Sequence, residues 1–298
     1  MKHVKALAAV SAGLLVAPVV ALATATPADA ATTCTAVFLS PHQDDEVLSM
    51  GAAIRQHVEV RGGSKVCVAL FSTGQNSGAR GVFTSPGFVP VGQTSPYTNA
   101  TIGGSVSEFG KARDREFVAS VRALGVPASN IYLDNLPGWT RVLDENKTEA
   151  LQRPKADQFV QAAVNHFGKV DFKTHSDSDP SVDHKVIGKA LRAKASQTLS
   201  TRFYYPQYKF SSKPSTLTVY EQNAANPSVV TAAANQYGLF DPAAGRYSIG
   251  WLSVQQAFGG TALGLKRWNS TTKTWNTMPA LTAPNTSLLN TRKSWVHQ

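Results

Sequence analysis

An α/β fold built on a doubly wound, mostly parallel sheet is the class this sequence predicts, and three features carry the prediction. Short apolar runs without polar alternation recur, as in strands covered on both faces. Between them lie stretches with apolar residues at helical spacing. The two kinds of segment alternate from residue 35 to residue 205, which is the order of a sheet wound in both directions.

Ahead of the first strand, Lys2 and Lys5 precede an apolar run from Ala6 to Ala23 and the small-residue site Ala28-Asp29-Ala30. This is the pattern of a secretory signal peptide over residues 1–30, so the mature protein is expected outside the cell. Loss of Lys2, Lys5 and Asp29 lowers the formal charge only from +10 to +9. The remaining Lys and Arg are scattered without a cluster, a solvated basic surface rather than a nucleic-acid stripe, and no second apolar span follows.

Thr35-Ala-Val-Phe-Leu-Ser40 reads as the first buried strand, and Asp44 to Val58 as a helix with Val47, Leu48, Ala52, Ile54 and Val58 on one side. Lys65 to Phe71 is the second strand, so the first three elements form a right-handed βαβ unit. Cys34 and Cys67 fall on these two strands, and in an oxidising compartment the pair is expected to form a disulfide.

Residues 72–108 are rich in Gly, Ser, Thr, Pro and Asn and show no period, which predicts a long loop of the kind that is either functional or disordered. Phe109 to Leu124 is a helix stopped by Gly125 and Pro127, and Asn130 to Asp134 a strand. Pro154 to Phe167, Val170 to Thr174, Asp183 to Leu199 and Arg202 to Tyr205 continue the alternation as helix, strand, helix and strand. Residues 31–213 are therefore the core. Residues 214–298 change composition, carry strand-like pieces at Thr216 to Tyr220 and Leu263 to Trp268, and are read as a cap on the same domain.

The chemistry concentrates where strands end and helices begin. Pro41-His42-Gln43-Asp44-Asp45-Glu46 sits at the carboxyl end of the first strand, where open α/β sheets bind ligands. One His and three acids within five residues repel unless a cation lies among them, and imidazole with carboxylate is an ordinary zinc donor set. Helix capping accounts for the acids but not for the imidazole. A second half-site, Asp179-Pro-Ser-Val-Asp183-His184, follows a strand in the same way. His42, Asp45 and His184 would then hold Zn2+ and leave a fourth position for water. Asp183 is either an acceptor that fixes an imidazole tautomer or a helix N-cap.

These motifs resemble those of the PIG-L/LmbE-like N-acetylglucosaminyl deacetylases. Pro41-His-Gln-Asp-Asp-Glu-Val-Leu-Ser-Met-Gly51 is similar to the family's His-x-Asp-Asp-Glu signature, and Asp183-His184-Lys-Val-Ile-Gly188 to its downstream metal motif. Arg113-Asp-Arg-Glu116 with Leu124-Gly125-Val126 matches the helix between them. The resemblance implies a Rossmann-like fold, zinc on His42, Asp45 and His184, Asp44 as general base, and removal of an acetyl group from an N-acetylated sugar. The partner implied is a small molecule or glycan carrying an N-acyl group. A non-catalytic, metal-containing carbohydrate-binding or wall-associated protein is the alternative.

The sequence departs from the family at Ser181, where a second His is usual. His175 is the other histidine expected at that strand-end edge, and it is the candidate acid or oxyanion donor. His57 and His166 read as helix-surface residues and Arg80 as a loop residue that either holds substrate or is solvated. Trp139, Tyr204, Tyr205 and Tyr208 read as core aromatics.

Overall fold

The computed structural model describes residues 34–90, 93, 95–143, 147–205, 220–223, 225–258, 266–269, 274–277 and 293–297. The expected signal peptide, Tyr208 and most of the two C-terminal strand readings lie outside the described residues.

The first half runs β1 (Ala36–Ser40), α1 (Asp45–Arg61), β2 (Val66–Leu70), α2 (Ala100–Gly104), α3 (Val106–Ala123) and β3 (Ile131–Tyr132). It continues with α4 (Glu149–Phe167), β4 (Asp171–His175), α5 (Val182–Ala193) and β5 (Ser200–Tyr205). Then come β6 (Tyr220–Asn223), α6 (Pro227–Asn235), β7 (Phe240–Asp241), β8 (Arg246–Tyr247), α7 (Ile249–Ser253) and α8 (Gln255–Phe258). The hairpin β9 (Lys266–Asn269) and β10 (Thr274–Thr277) precedes β11 (Lys293–His297).

The main sheet has the order β3-β2-β1-β4-β5-β11-β6. Its first five strands pair in parallel, and β11 and β6 close that edge in antiparallel pairing. The chain therefore winds outward from β1 in one direction and from β4 in the other. The two central strands meet at the reversal, which is where such sheets open a crevice.

Every residue of β1, β2 and β4 is buried, which is why these strands read as unbroken runs. Phe38 and Val68 pack beneath α1, α3 and α6 with Ile54, Phe117 and Val121. Val37 and Ala69 face α4 and α5 with Phe159, Ile187 and Phe203. Each fully buried Phe, Leu or Ile here contributes about 1.5–3 kcal/mol. Cys34 and Cys67 are joined in a disulfide with their Cα atoms 5.8 Å apart, tying the start of β1 to β2. Among the described residues no helix is long and apolar enough to cross a membrane.

Several boundaries move from their expected positions. Helix α3 starts at Val106, because Ser105 accepts the Glu108 N–H and caps it. Helix α4 starts at Glu149 and carries Pro154 in its second turn. The segment 72–108 is not a plain loop: a 3₁₀ turn at Gly78–Thr84 and helix α2 lie within it. Its Phe83, Phe88 and Ile102 form a satellite core with Phe109, Tyr247 and Ile249. These side chains converge on one point instead of lining one face, so no periodicity announced them.

Candidate metal centre

His42 lies between β1 and α1, Asp45 opens α1, and His184 sits in the first turn of α5 after β4. Because β1 and β4 are neighbours in the sheet, the two half-sites meet although 142 residues of chain separate the imidazoles. Gly188 allows the approach, since a Cβ there would stand 2.6 Å from the His175 carbonyl oxygen and 2.5 Å from the Asp177 nitrogen.

The three side chains bring three electron-pair donors together. Asp45 Oδ2 is 2.9 Å from His42 Nδ1 and 2.9 Å from His184 Nε2, and the two nitrogens are 3.3 Å apart. The remaining nitrogens are also engaged. His42 Nε2 faces Asp183 Oδ2 at 2.9 Å, and His184 Nδ1 faces Asp179 Oδ2 at 2.9 Å. A carboxylate can only accept, and every one of these ring nitrogens faces one; with a cation in the centre the outer nitrogens keep their protons on Asp183 and Asp179 and the inner nitrogens offer lone pairs. Three lone pairs then point into one small space, an arrangement that a cation relieves. Ligands about 2.0–2.1 Å from a tetrahedral zinc stand roughly 3.3 Å apart, the separation of the two nitrogens, while the Asp45 oxygen lies closer to each at 2.9 Å. Asp183 is thus the acceptor of the two roles open to it, and Ser181 occupies the N-cap position of α5.

Asp45 and His184 are buried, and the His42 side chain, at 12 % exposure, marks the side open to solvent. Burial pushes the Asp45 carboxyl up, yet the His184 and His175 imidazoles beside it hold it well below the usual carboxylate range.

Asp44 has a different environment. Burial raises its carboxyl well above the usual value, against the pull of Arg113, whose Nη2 lies 3.2 Å from Asp44 Oδ2. Arg113 also donates to the Gln43 and Gly74 carbonyls, so the guanidinium braces the whole turn. The backbone of Asp44 has φ 92°, and its N–H donates to Glu46 Oε2 at 3.0 Å and Tyr237 Oη at 2.8 Å. Burial pushes the Glu46 carboxyl up to about 8.

His175 is brought into the cluster on its inner side. It is 0 % exposed, its ring centroid is 4.2 Å from that of His184, and its Nε2 is 2.9 Å from Ser49 Oγ. It approaches Asp45 at Oδ1, 3.9 Å away, whereas Oδ2 meets the two other imidazoles. The ring, expected at this strand-end edge as an acid or oxyanion donor, is thus brought beside the cluster and is fully buried, with Nε2 towards Ser49.

The weaker candidates resolve as structural. His57 is buried against Phe38, not solvent-facing, and burial lowers its pKa to about 3. His166 is half-buried against Tyr132, and Arg80 donates to the Gly103 carbonyl, holding the 72–108 segment together. Trp139 stacks on Phe71, and Tyr204 and Tyr205 are buried in the sheet. Asp179, Arg113 and Tyr237 were not singled out for these contacts from the sequence. Asp179 lies in the second half-site and Arg113 in the Arg113–Glu116 motif, whereas nothing in the sequence around Tyr237 signals its contact.

Comparison with known families matches residues 37–195 to PIG-L, described as GlcNAc-PI de-N-acetylase. No curated protein matches the sequence. Among solved structures, the A40926 pseudoaglycone deacetylase Dbv21 is 16% identical, covering 75% of this chain and 85% of that one, with a TM-score of 0.48. The zinc-inhibited form of teicoplanin deacetylase Orf2 is 16% identical over 68% and 83% of the two chains, TM-score 0.42. The N,N'-diacetylchitobiose deacetylase of Pyrococcus horikoshii is 14% identical over 85% and 88%, TM-score 0.42.

Proposed function

This chain belongs to the GlcNAc-PI de-N-acetylase (PIG-L) family, and from that premise we propose that it is a secreted zinc enzyme that hydrolyses the N-acetyl amide of an N-acetylglucosamine-type sugar or a related acylated amine. The observation that carries the metal assignment is the convergence of His42 Nδ1, Asp45 Oδ2 and His184 Nε2, with Asp183 and Asp179 as acceptors on the outer nitrogens. That is the donor set and outer support of a three-ligand catalytic site. Support for secretion comes from the N-terminal pattern and from the Cys34–Cys67 bridge, which suits an oxidising compartment.

Zinc bound there would lower the pKa of a coordinated water to about 7 and polarise the acyl oxygen. The protein side of the reaction falls to Asp44. Arg113 takes its Oδ2, and Oδ1 accepts the proton of the attacking water. The same carboxyl returns that proton to the amide nitrogen as the C–N bond breaks, releasing acetate and the free amine. Its burial keeps the carboxyl able to carry a proton in both directions.

The test is metal analysis of the purified mature protein combined with acetate release from chito-oligosaccharides, with and without added zinc. One zinc per chain with zinc-dependent acetate release supports the proposal. Bound zinc with no turnover on any acylated amine favours the non-catalytic, carbohydrate-binding alternative.

A further inference from the structure

The catalytic turn is completed by a residue outside the segment that matches the family. Asp44, a non-glycine residue, holds φ 92°, a conformation that costs energy unless its surroundings enforce it. Its N–H is met by Tyr237 Oη at 2.8 Å and by Glu46 Oε2 at 3.0 Å, and the Tyr237 hydroxyl donates to Glu46 Oε1 at 2.8 Å. The three groups close a ring of hydrogen bonds from which water is excluded, since Tyr237 is 0 % and Glu46 0 % exposed.

Tyr237 is in turn fixed from several directions. It follows α6, whose approach is set by Glu59 accepting the Ala225 and Asn226 N–H groups. Gly250 lets the ring in, because a Cβ there would lie 2.3 Å from Tyr237 Cδ1. The buried Glu116 carboxylate accepts the N–H groups of Tyr247, Ile249 and Gly250 at 2.8–3.1 Å. Arg113 and Glu116 stand three residues apart on α3, neighbours on one helix surface. One grips Asp44 and the other grips the segment packed on Tyr237, so a single helix sets both against each other.

We propose that Tyr237 is a positioning residue for Asp44: its hydroxyl holds the Asp44 backbone in the left-handed conformation that aims the carboxylate at the metal centre, which makes the 225–258 segment part of the catalytic machinery. This rests on the reading of Asp44 as the base.

The experiment compares Tyr237→Phe, Asp44→Asn and the double variant for acetate release from N,N'-diacetylchitobiose, with zinc content and amide hydrogen exchange over residues 42–48 measured on each. Tyr237→Phe is expected to lower kcat by about 10- to 100-fold, the scale of a small misplacement of a reacting group. KM and zinc content stay as in the wild type, and exchange at the turn becomes faster. In the Asp44→Asn background the same change adds no further loss, as two residues acting as one unit require. Gly250→Ala, which keeps the hydroxyl but crowds the ring, should reproduce the kcat loss. Unchanged exchange, a wild-type kcat, or an equal loss in both backgrounds overturns the inference while Asp44→Asn remains slow. A fully active Asp44→Asn instead overturns the base assignment, and this inference with it.

Discussion

His42 Nε2 and Asp183 Oδ2 stand 2.9 Å apart across 141 residues of chain. The contact gives His42 Nε2 an acceptor for its proton, which frees Nδ1 to face a cation together with Asp45. Asp183 lies beside His184 in sequence but serves the other imidazole, whereas His184 takes Asp179 from its own half-site.

Asp183→Asn is therefore expected to weaken zinc binding by about 10- to 100-fold without removing a ligand. His42→Ala or His184→Ala should abolish stoichiometric binding, because two protein donors remain. Competition titration against a chelator measures both. An Asp183→Asn protein with wild-type affinity would show that the tautomer is set by something else.

Asp44→Asn should retain zinc while turnover falls by a factor on the order of 100 to 10,000, the usual contribution of a general base. Steady-state kinetics with metal analysis on the same sample separates the two effects. Turnover that does not change would place the base elsewhere.

The His42, Asp45 and His184 cluster was legible in the sequence because the motif is local and its position at a strand end follows from the apolar pattern. His42 and Asp45 are three residues apart, and His184 lies in the first turn of α5, the helix that follows β4. The supporting contacts were not legible. Arg113 meets Asp44 across 69 residues and Tyr237 meets it across 193, and neither distance leaves a periodic trace. The 72–108 segment failed for the related reason that its aromatic residues close a satellite core with Tyr247 and Ile249. The inner position of His175 was hidden too, since a strand-end histidine reads the same whichever way its ring turns.

Ser181 stands where the family carries an imidazole, and its side chain does not cap α5. His175 is the other imidazole beside the cluster, 3.9 Å from Asp45 Oδ1 on its buried side. Ser181→His is expected to raise turnover by roughly 10- to 100-fold, within the contribution of an acid or oxyanion donor. His175→Ala should act through the ligands, loosening His184 and lowering zinc affinity. A His175→Ala enzyme with intact affinity and a large loss of turnover would instead support a catalytic role for His175.

The Cys34–Cys67 bridge joins the first two strands early in the chain. Replacing both cysteines by Ala should lower stability by about 2–4 kcal/mol with the zinc site intact. Chemical denaturation checks the loss, and mass spectrometry of native protein should find no alkylatable thiol. Two free thiols would remove the bridge.

Lys173 carries the last prediction. It lies on β4 at 1 % exposure with its Nζ 5.5 Å from the Phe38 ring centroid. Asp171, the acid nearest in the strand, is 4.0 Å away and already engaged by the Arg61 guanidinium and Ser200 Oγ. Burial thus dominates and pushes the Lys173 amine down to about 7 from 10.5. A group whose folded pKa is depressed contributes stability that is fully present above its unfolded pKa and is lost as pH falls through the folded value. For Lys173 that window runs from 10.5 down to about 7. The buried acids Glu46 and Glu116, raised by burial to about 8 and about 7, act in the opposite sense. Their stability is full below 4.5 and is lost as pH rises through those values, so between about pH 8 and 10 the Lys173 effect stands clear. Unfolding free energy relative to Lys173→Met, followed by urea denaturation at several pH values, should therefore increase from pH 8 to pH 10. A difference that is flat over that range would mean the amine stays protonated in the folded protein, held by Asp171 despite its other partners.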